Sequence, residues 1–345
     1  MKYSDKVLTI GCHCEPPKGG IASVLKTYMD CIYTPFHFVA NSKGGLLANI
    51  WFLIKSLMQC EGIYRTNKQI EIVHIHTASY NSFKRSVLYI KQAKRYGKKV
   101  VCHIHGGGFR DFRKTCPEFV DKHLNMCDAV VALSETWRKY FAEELELNNV
   151  YVINNIIENP KIMQVENDGR FHILFLGLIT EVKGIFDLLD VLRDNKEVWN
   201  GHIILHVGGN GKVDEFKQKI VEYGIENMVV YEGWVSGDKK VSLFNIANAF
   251  ILPSYTEGVP ISILEAMSYG IPILSTLVGG IPEVVNTDTG ILFTPRDKTM
   301  MAKAITKIFS DVELCHSMKS NCKKEANAYL PNSIAMQLKN LYDQL

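Results

Sequence analysis

The sequence predicts an α/β protein made of two Rossmann-like domains, each a doubly wound parallel sheet, facing one another across a cleft. Three observations carry this. Apolar runs of strand length alternate with helix-length stretches through both halves of the chain, the pattern of repeated βα units. Most of these runs end in glycine or proline, as strands do where they turn into a loop at the sheet edge. Residues 154–169 are polar without a strand pattern and read as a linker, so domains are expected over 1–165 and 166–330.

The chain has 345 residues, 47% hydrophobic and 22% charged, enough for each domain to bury its own core. No apolar run reaches the about 18–20 residues of a bilayer span, and residues 1–10 lack the apolar centre of a signal peptide. A cytoplasmic protein is expected. The nine cysteines are scattered without a C-x-x-C pair and fit reduced thiols. Cys12-His13-Cys14 has no second ligand pair at zinc spacing and reads as a strand end entering a loop, so no metal is expected.

The net charge of +3 hides an asymmetry: residues 1–165 hold 22 Lys+Arg against 14 Asp+Glu, and residues 166–345 hold 17 against 22. Lys84, Arg85, Lys91, Lys94, Arg95, Lys98 and Lys99 fall between Phe83 and Val100 with no acid among them. They form either a solvated helix face or a surface for anionic lipid headgroups or a polyanionic acceptor. No nucleic-acid motif accompanies them, so no nucleic-acid partner is expected.

In the first half, a strand over 6–11 leads through a loop with Pro16-Pro17 and Gly19-Gly20 into a helix over 21–31. This is a mononucleotide-binding unit, but the GxGxxG fingerprint of a nicotinamide-dependent oxidoreductase is absent. Gly19 and Gly20 let backbone approach a ligand or simply make a tight turn. Residues 45–60 are apolar nearly all round and predict a helix that is buried or rests on another apolar surface, a monotopic membrane contact included. Strands over 70–77 and 99–105 alternate their histidines, so His74 shares a face with His76, and His103 with His105. His105 ends its strand before Gly106-Gly107-Gly108, at the edge where open α/β sheets bind ligands, and Arg110 and Arg113 behind it suit phosphate. Strands over 129–133 and 150–153 flank a helical stretch at 135–146.

The second half opens with a strand from Phe171 that ends at Gly177, then a loop to Lys183-Gly184 and a helix over 185–193. A strand over 202–207 runs into Gly208-Gly209-Asn210-Gly211, and one over 228–231 into Gly233-Trp234-Val235. The strand over 249–252 is broken by PSYTEGVP before a helix over 261–269. That helix brings unpaired amides and the positive end of its dipole to the sheet edge, a ready anion site, with Glu257 and Glu265 on either side. A carboxylate accepts two hydrogen bonds from a vicinal diol, so acids for hydroxyls beside amides for phosphate suit a sugar nucleotide. A strand over 271–275, a glycine loop at 278–283, a strand over 290–293, a helix capped by Asp297 and a terminal helix over 333–345 complete the chain.

The Glu257-x7-Glu265 spacing, framed by Pro253-Ser254 and by Gly-x-Pro steps, resembles the donor-site signature of the group-1 glycosyltransferases, the retaining family 4 enzymes of the GT-B fold. The resemblance is strongest over residues 171–295. It implies that Glu257 contacts sugar hydroxyls, Glu265 holds the ribose, and backbone from Gly258 through Val259 and Pro260 to Ile261 meets the diphosphate or sugar. It also implies that Lys183 sets an ammonium on the diphosphate and that Gly177, Gly209 and Asn210 lie under the nucleotide. Trp234 and Val235 would meet the base, unless Trp234 is core, His105 would lie near the donor sugar, and Gly19 and Gly20 near the phosphates or acceptor. The final helix, 331–345, would return to the first domain. Leu178 stands where the family has an arginine, and Arg110, Arg113 or Lys212 would have to replace that charge.

A metal-independent, retaining transfer from a UDP- or GDP-sugar to a glycan or lipid-linked hydroxyl is therefore expected, in surface-polysaccharide synthesis, with no cofactor and with His105, Lys183 and Glu257 as the catalytic set. No D-x-D triplet occurs. Two other outcomes follow from the same fold: a nucleotide-sugar epimerase, or a catalytically silent sugar-nucleotide-binding subunit. The site of action is expected in the cytoplasm, at the inner face of the membrane if the basic first half docks there.

Overall fold

The computed structural model describes residues 2–15, 19–42, 46–166 and 168–345, with backbone alone for 46–50. Pro16, Pro17 and Gly45, named above, lie outside the described residues. The chain divides into two compact units, Met1–Glu158 with Tyr329–Leu345, and Asn159–Ala328. The divisions fall at 158/159 and 328/329 rather than 165/166 and 330/331. The first shift has a local cause: Asn245 Nδ2 donates to Lys161 O (2.9 Å) and Met163 N to Asn245 Oδ1 (2.8 Å), which ties the polar stretch to the second unit.

The first unit holds a parallel sheet of β1 (Val7–Cys12), β2 (His37–Ser42), β3 (Ile72–Thr77), β4 (Lys99–Ile104), β5 (Ala129–Ala132) and β6 (Val150–Val152), in the order β2-β1-β3-β4-β5-β6. Connections leave β1 in opposite directions, so the switch point lies between β1 and β3. Edge strand β2 was not foreseen, because its sequence HFVANS alternates partly buried and buried positions without a continuous apolar run. Ile75, Val100, Cys102, Val130 and Phe112 lie at the centre of the core. The terminal helix Pro331–Tyr342 belongs to this unit and buries Ile334, Leu338, Leu341 and Tyr342.

The helix Leu46–Thr66 runs longer than its apolar sequence marks. Ser56, Cys60 and Tyr64 face inward, whereas Trp51, Ile54 and Met58 are 66%, 55% and 68% exposed. Full burial is thus corrected to a half-buried helix with an open apolar stripe. Its neighbour Asn81–Arg95 carries the basic run. Asp128 takes Lys94 at 2.9 Å and Lys99 at 3.6 Å, so a carboxylate 29 or more residues away in sequence neutralises part of that run. Among the described residues no helix is long and apolar enough to cross a membrane.

The second unit holds β7 (Phe171–Leu176), β8 (Ile203–Gly208), β9 (Val229–Gly233), β10 (Ala249–Leu252), β11 (Ile273–Thr276) and β12 (Gly290–Phe293), ordered β12-β11-β10-β7-β8-β9. All pairs are parallel. This is the 3-2-1-4-5-6 order of a dinucleotide-binding sheet, with its switch point between β7 and β10. Asp297 caps Lys298–Ser310 as its sequence predicts, accepting from Met300 N at 2.9 Å. Helices Val213–Tyr223, Gly237–Ile246 and Val312–Ala326 fill intervals to which no element was assigned from the sequence, although Val213, Phe216 and Ile220 mark an apolar face on the first of them.

Gly184 shows why the loop after β7 needs its glycine. Its φ of +70° is left-handed, and a Cβ there would lie 2.0 Å from Pro253 O. Gly184→Ala is expected to destabilise the second unit by more than about 2 kcal/mol. Gly201→Ala, at φ +80° with nothing within 4 Å, should cost only about 1 kcal/mol of conformational strain. Calorimetric melting of the two variants checks the difference.

Candidate active site

The C-terminal edge of the second sheet is a single laced surface. Gly177 N donates to Gly208 O (3.0 Å), Ile179 N to Asn210 O (2.8 Å) and Gly209 N to Gly233 O (2.8 Å). Tyr255 N donates to Val182 O (2.8 Å), and Gly280 N to Gly258 O (2.7 Å). The loops after β7, β8, β9, β10 and β11 thus bond to one another. A Cβ on Gly209 would lie 1.8 Å from Gly177 O, and one on Gly279 2.0 Å from Glu257 O. Backbone approaches that close admit only glycine.

Two ion pairs sit on this surface. Lys183, at the end of the β7 loop, meets Glu257 Oε1 at 2.5 Å, with the side chains 24% and 10% exposed. Ser254, fully buried, donates to the same Glu257 oxygen at 2.8 Å. Lys240 meets Glu265 Oε1 at 2.5 Å. The sequence did not single out Lys240. Its signal was weak, a lysine in a Gly237–Ile246 stretch without clear periodicity, and only the packing of that helix brings it to Glu265.

The helix Ile261–Ser268 starts at Pro260, which has extended backbone and offers no side-chain cap. Its first turn contains no acid, so the dipole and amides there stand unopposed by local negative charge. Gly258, Pro260 and Ile261 are partly exposed, whereas Val259 is buried against Gly280 and can offer a ligand only backbone. Asn210 is exposed and Gly209 buried. Trp234 is 46% exposed and so is not core, while Val235 packs on Gly208. Leu178 is 51% exposed.

The three cations named as replacements for the missing arginine are all engaged. Arg113 makes a two-point contact with Asp121 (2.8 and 2.9 Å). Arg110 meets Glu144 at 3.2 Å and lies over the Tyr140 ring. Lys212 pairs with Glu181 and, at 3.2 Å, with Glu215.

In the first unit Gly19 has φ +94° and precedes the helix Gly20–Cys31, with both glycines exposed. His105 is more constrained than its place after β4 implies. Its Nε2 lies 2.9 Å from His76 Nδ1, and its Nδ1 lies 3.2 Å from Asn155 Oδ1. Burial pushes its pKa down to about 4, so the ring is neutral at pH 7. A polar contact from either ring nitrogen to a ligand would break one of these bonds. Cys12 and Cys14 are free thiols, and burial raises both pKa values, that of Cys12 to about 11. Neither is a thiolate ready for metal.

A parallel sheet of 3-2-1-4-5-6 order, whose switch-point loops carry an ammonium and a carboxylate beside an uncapped helix start, defines a doubly wound α/β protein of the Rossmann class. Family models match along most of the chain: "Glycosyl transferases group 1" over residues 156–325 and "Glycosyltransferase Family 4" over residues 25–159. The chain belongs to the group 1, family 4 glycosyltransferases. It is 29% identical over 181 residues to the glycosyltransferase MJ1607 of Methanocaldococcus jannaschii, covering 52% of this chain and 46% of that one. It is 28% identical over 221 residues to the lipopolysaccharide 1,6-galactosyltransferase of Salmonella typhimurium, covering 61% of this chain and 59% of that one. The chain thus spans about half of the length of these curated relatives. In fold it is similar to sucrose-phosphate synthase of Thermosynechococcus elongatus (TM-score 0.80, 16% identity, 98% of each chain). It is also similar to Anabaena HepE solved with UDP (TM-score 0.76, 18% identity, 99% of this chain and 100% of that one). Both are GT-B proteins in fold, and the two six-stranded sheets described above are those of that fold.

The Lys183–Glu257 contact should register as coupling in the free protein. In a thermal double-mutant cycle, Lys183→Met and Glu257→Gln are each expected to destabilise, and together by less than their sum, with a coupling of about 1–2 kcal/mol. Additive effects would mean that the two charges do not meet in solution.

Proposed function

We propose that this chain is a metal-independent, retaining glycosyltransferase that moves a sugar from a UDP- or GDP-sugar to a hydroxyl of a glycan or lipid-linked acceptor. The observation that carries the reading is the Lys183–Glu257 pair at the β7/β10 switch point, next to the uncapped start of Ile261–Ser268. An arriving diphosphate competes for the ammonium of Lys183. As that lysine turns to phosphate, Glu257 is released to accept hydrogen bonds from sugar hydroxyls, so donor binding itself arms the carboxylate.

The helix amides and Lys183 then carry the charge that grows on the departing diphosphate. Glu265, held by Lys240, takes the ribose diol, and Gly177, Gly209 and Asn210 form the floor under the nucleotide. Trp234 and Val235 flank the base. The sugar C1–O bond to phosphate breaks as the C1–O bond to the acceptor forms on the same face, and the acceptor proton passes to the leaving phosphate oxygen. The resemblance to UDP-bound HepE supports a nucleotide-sugar donor, and the similarity to a lipopolysaccharide galactosyltransferase supports a surface-glycan acceptor. His105, neutral and tied at both nitrogens, serves to hold the loop after β4 in place rather than to carry a proton.

The first unit supports work at a membrane surface on the cytoplasmic side. Trp51, Ile54 and Met58 form an exposed i, i+3, i+7 stripe. The adjacent helix, joined to it by Ser56 Oγ and the Tyr89 hydroxyl at 2.6 Å, exposes Lys84, Lys91 and Arg95. Apolar anchors beside cations suit an anionic leaflet.

Incubation with radiolabelled UDP- and GDP-sugars and a membrane extract tests the transfer. Label should move to acceptor, and Lys183→Ala and Glu257→Ala should each lower kcat/KM by roughly 10- to 150-fold, the equivalent of a lost charged hydrogen bond of about 1.5–3 kcal/mol. Donor binding without transfer would identify a silent subunit, and an isomerised sugar without acceptor an epimerase; either result overturns the reading. Co-sedimentation with phosphatidylglycerol vesicles tests the surface. Replacing Lys84, Lys91 and Arg95 by glutamine should weaken binding by on the order of 100-fold, at about 1 kcal/mol for each cation, and binding indifferent to that change and to salt would exclude this face.

A further inference from the structure

The first sheet carries three buried histidines whose chemistry the transfer does not use. His74 and His76 alternate along β3, and His103 lies on β4 directly opposite His76. His74, His76 and His103 are 0%, 2% and 0% exposed, and one ring nitrogen from each lies within 4.8 Å of the other two. Among the described residues this is the one grouping of His, Cys, Asp or Glu so placed. Two histidines at i, i+2 on one strand and a third across the ladder put three imidazoles on one face of a rigid sheet.

The outer hydrogen bonds fix how these rings are presented. With Asn155 Oδ1 accepting from His105 Nδ1–H, His105 Nε2 accepts from His76 Nδ1–H. His76 Nε2 is then a bare lone pair, and it has no partner. His74 Nδ1 lies 2.6 Å from the Tyr342 hydroxyl, which in turn lies 2.6 Å from that of Tyr33. His74 Nε2 lies 3.2 Å from His103 Nδ1, and His103 Nε2 is also buried without a partner. Nearby, Tyr28 packs edge-on against His76 at 5.3 Å, and its hydroxyl and that of Thr9, which is paired in register with His74, have no partner either. Four orphaned polar atoms on one buried face are more than a native core leaves unexplained.

We propose that His74, His76 and His103 bind a transition-metal ion of the zinc class, as a structural staple that joins β3 to β4 and, through Tyr342, to the terminal helix. Neutral imidazole is the ligating form. A ligating histidine characteristically gives its other N–H to an acceptor, and here His76 Nδ1 faces His105 while His74 Nδ1 faces Tyr342. Zn–N bonds of about 2.0–2.1 Å in a tetrahedron place nitrogens about 3.3 Å apart, so binding requires the His74 Nε2–His103 Nδ1 bond to open and the near-parallel rings to turn toward the ion. The ion takes no part in sugar transfer, and the surrounding burial makes the site closed, with loading during folding.

The test is to refold the full chain with and without Zn2+, dialyse against EDTA, and measure metal by mass spectrometry. About one Zn2+ per chain is expected, together with a melting temperature above that of the metal-free preparation. Co2+ in its place should give tetrahedral d–d bands with imidazole-nitrogen character. His76→Gln and His103→Gln should lose the ion and the stabilisation, whereas the Cys12→Ser/Cys14→Ser variant should keep both. A folded wild-type chain that takes up neither Zn2+ nor Co2+ overturns the proposal, as does retention of the ion in His76→Gln or its loss in the cysteine variant. Should a histidine variant fail to fold, the metal content and cobalt spectrum of the wild-type chain decide alone. Transfer activity is read separately, so a metal-free enzyme that still transfers sugar leaves the functional reading intact.

Discussion

The arrangement of the second unit depends on how closely its loops approach one another at the sheet edge. Gly184 lies against Pro253 O, Gly209 against Gly177 O, and Gly279 against Glu257 O, each at a distance a Cβ would occupy. Because backbone meets backbone, the loops after β7 and β10 are held in one relative position, and Lys183 and Glu257 meet across them. The ion pair follows from the glycines, since opposite charges on independently moving loops would gain little in water. Ser254, buried beneath, donates to the same carboxylate oxygen.

That pairing also gives the site a resting state. Lys183 and Glu257 neutralise one another, and Lys240 does the same for Glu265. Each carboxylate is oriented by an ammonium partner rather than left alone. The helix start between them adds partial positive charge, with no acid in its first turn and no side-chain cap. Leu178, at the place of the family's arginine, is exposed and supplies no cation.

The first unit is organised on a different principle. Its interior contains a chain of hydrogen bonds from Asn155 through His105 to His76, and another from Tyr33 through Tyr342 and His74 to His103. These polar links tie the last helix and the segment after β6 to the central strands. Apolar packing would hold the same elements less specifically, because it does not fix the rotation of a ring.

The sequence by itself determined the two βα-repeating halves, the limits of β10 and β12, the Asp297 cap and the pairing of an acid on either side of the helix start. Each of these depends on residues within a few positions of one another: apolar run length, glycine and proline punctuation, or a capping oxygen three residues from its amide donor. Edge strand β2 and the helix Val312–Ala326 were invisible because their local patterns are weak and their stability comes from what they pack against. Tertiary structure alone brought Lys240 to Glu265, took Asp128 to the basic helix, opened the stripe at Trp51, Ile54 and Met58, and closed both nitrogens of His105. Those facts are contacts between residues far apart in the chain, and the sign and occupancy of a charged or ring nitrogen group are set by whichever partner the fold delivers.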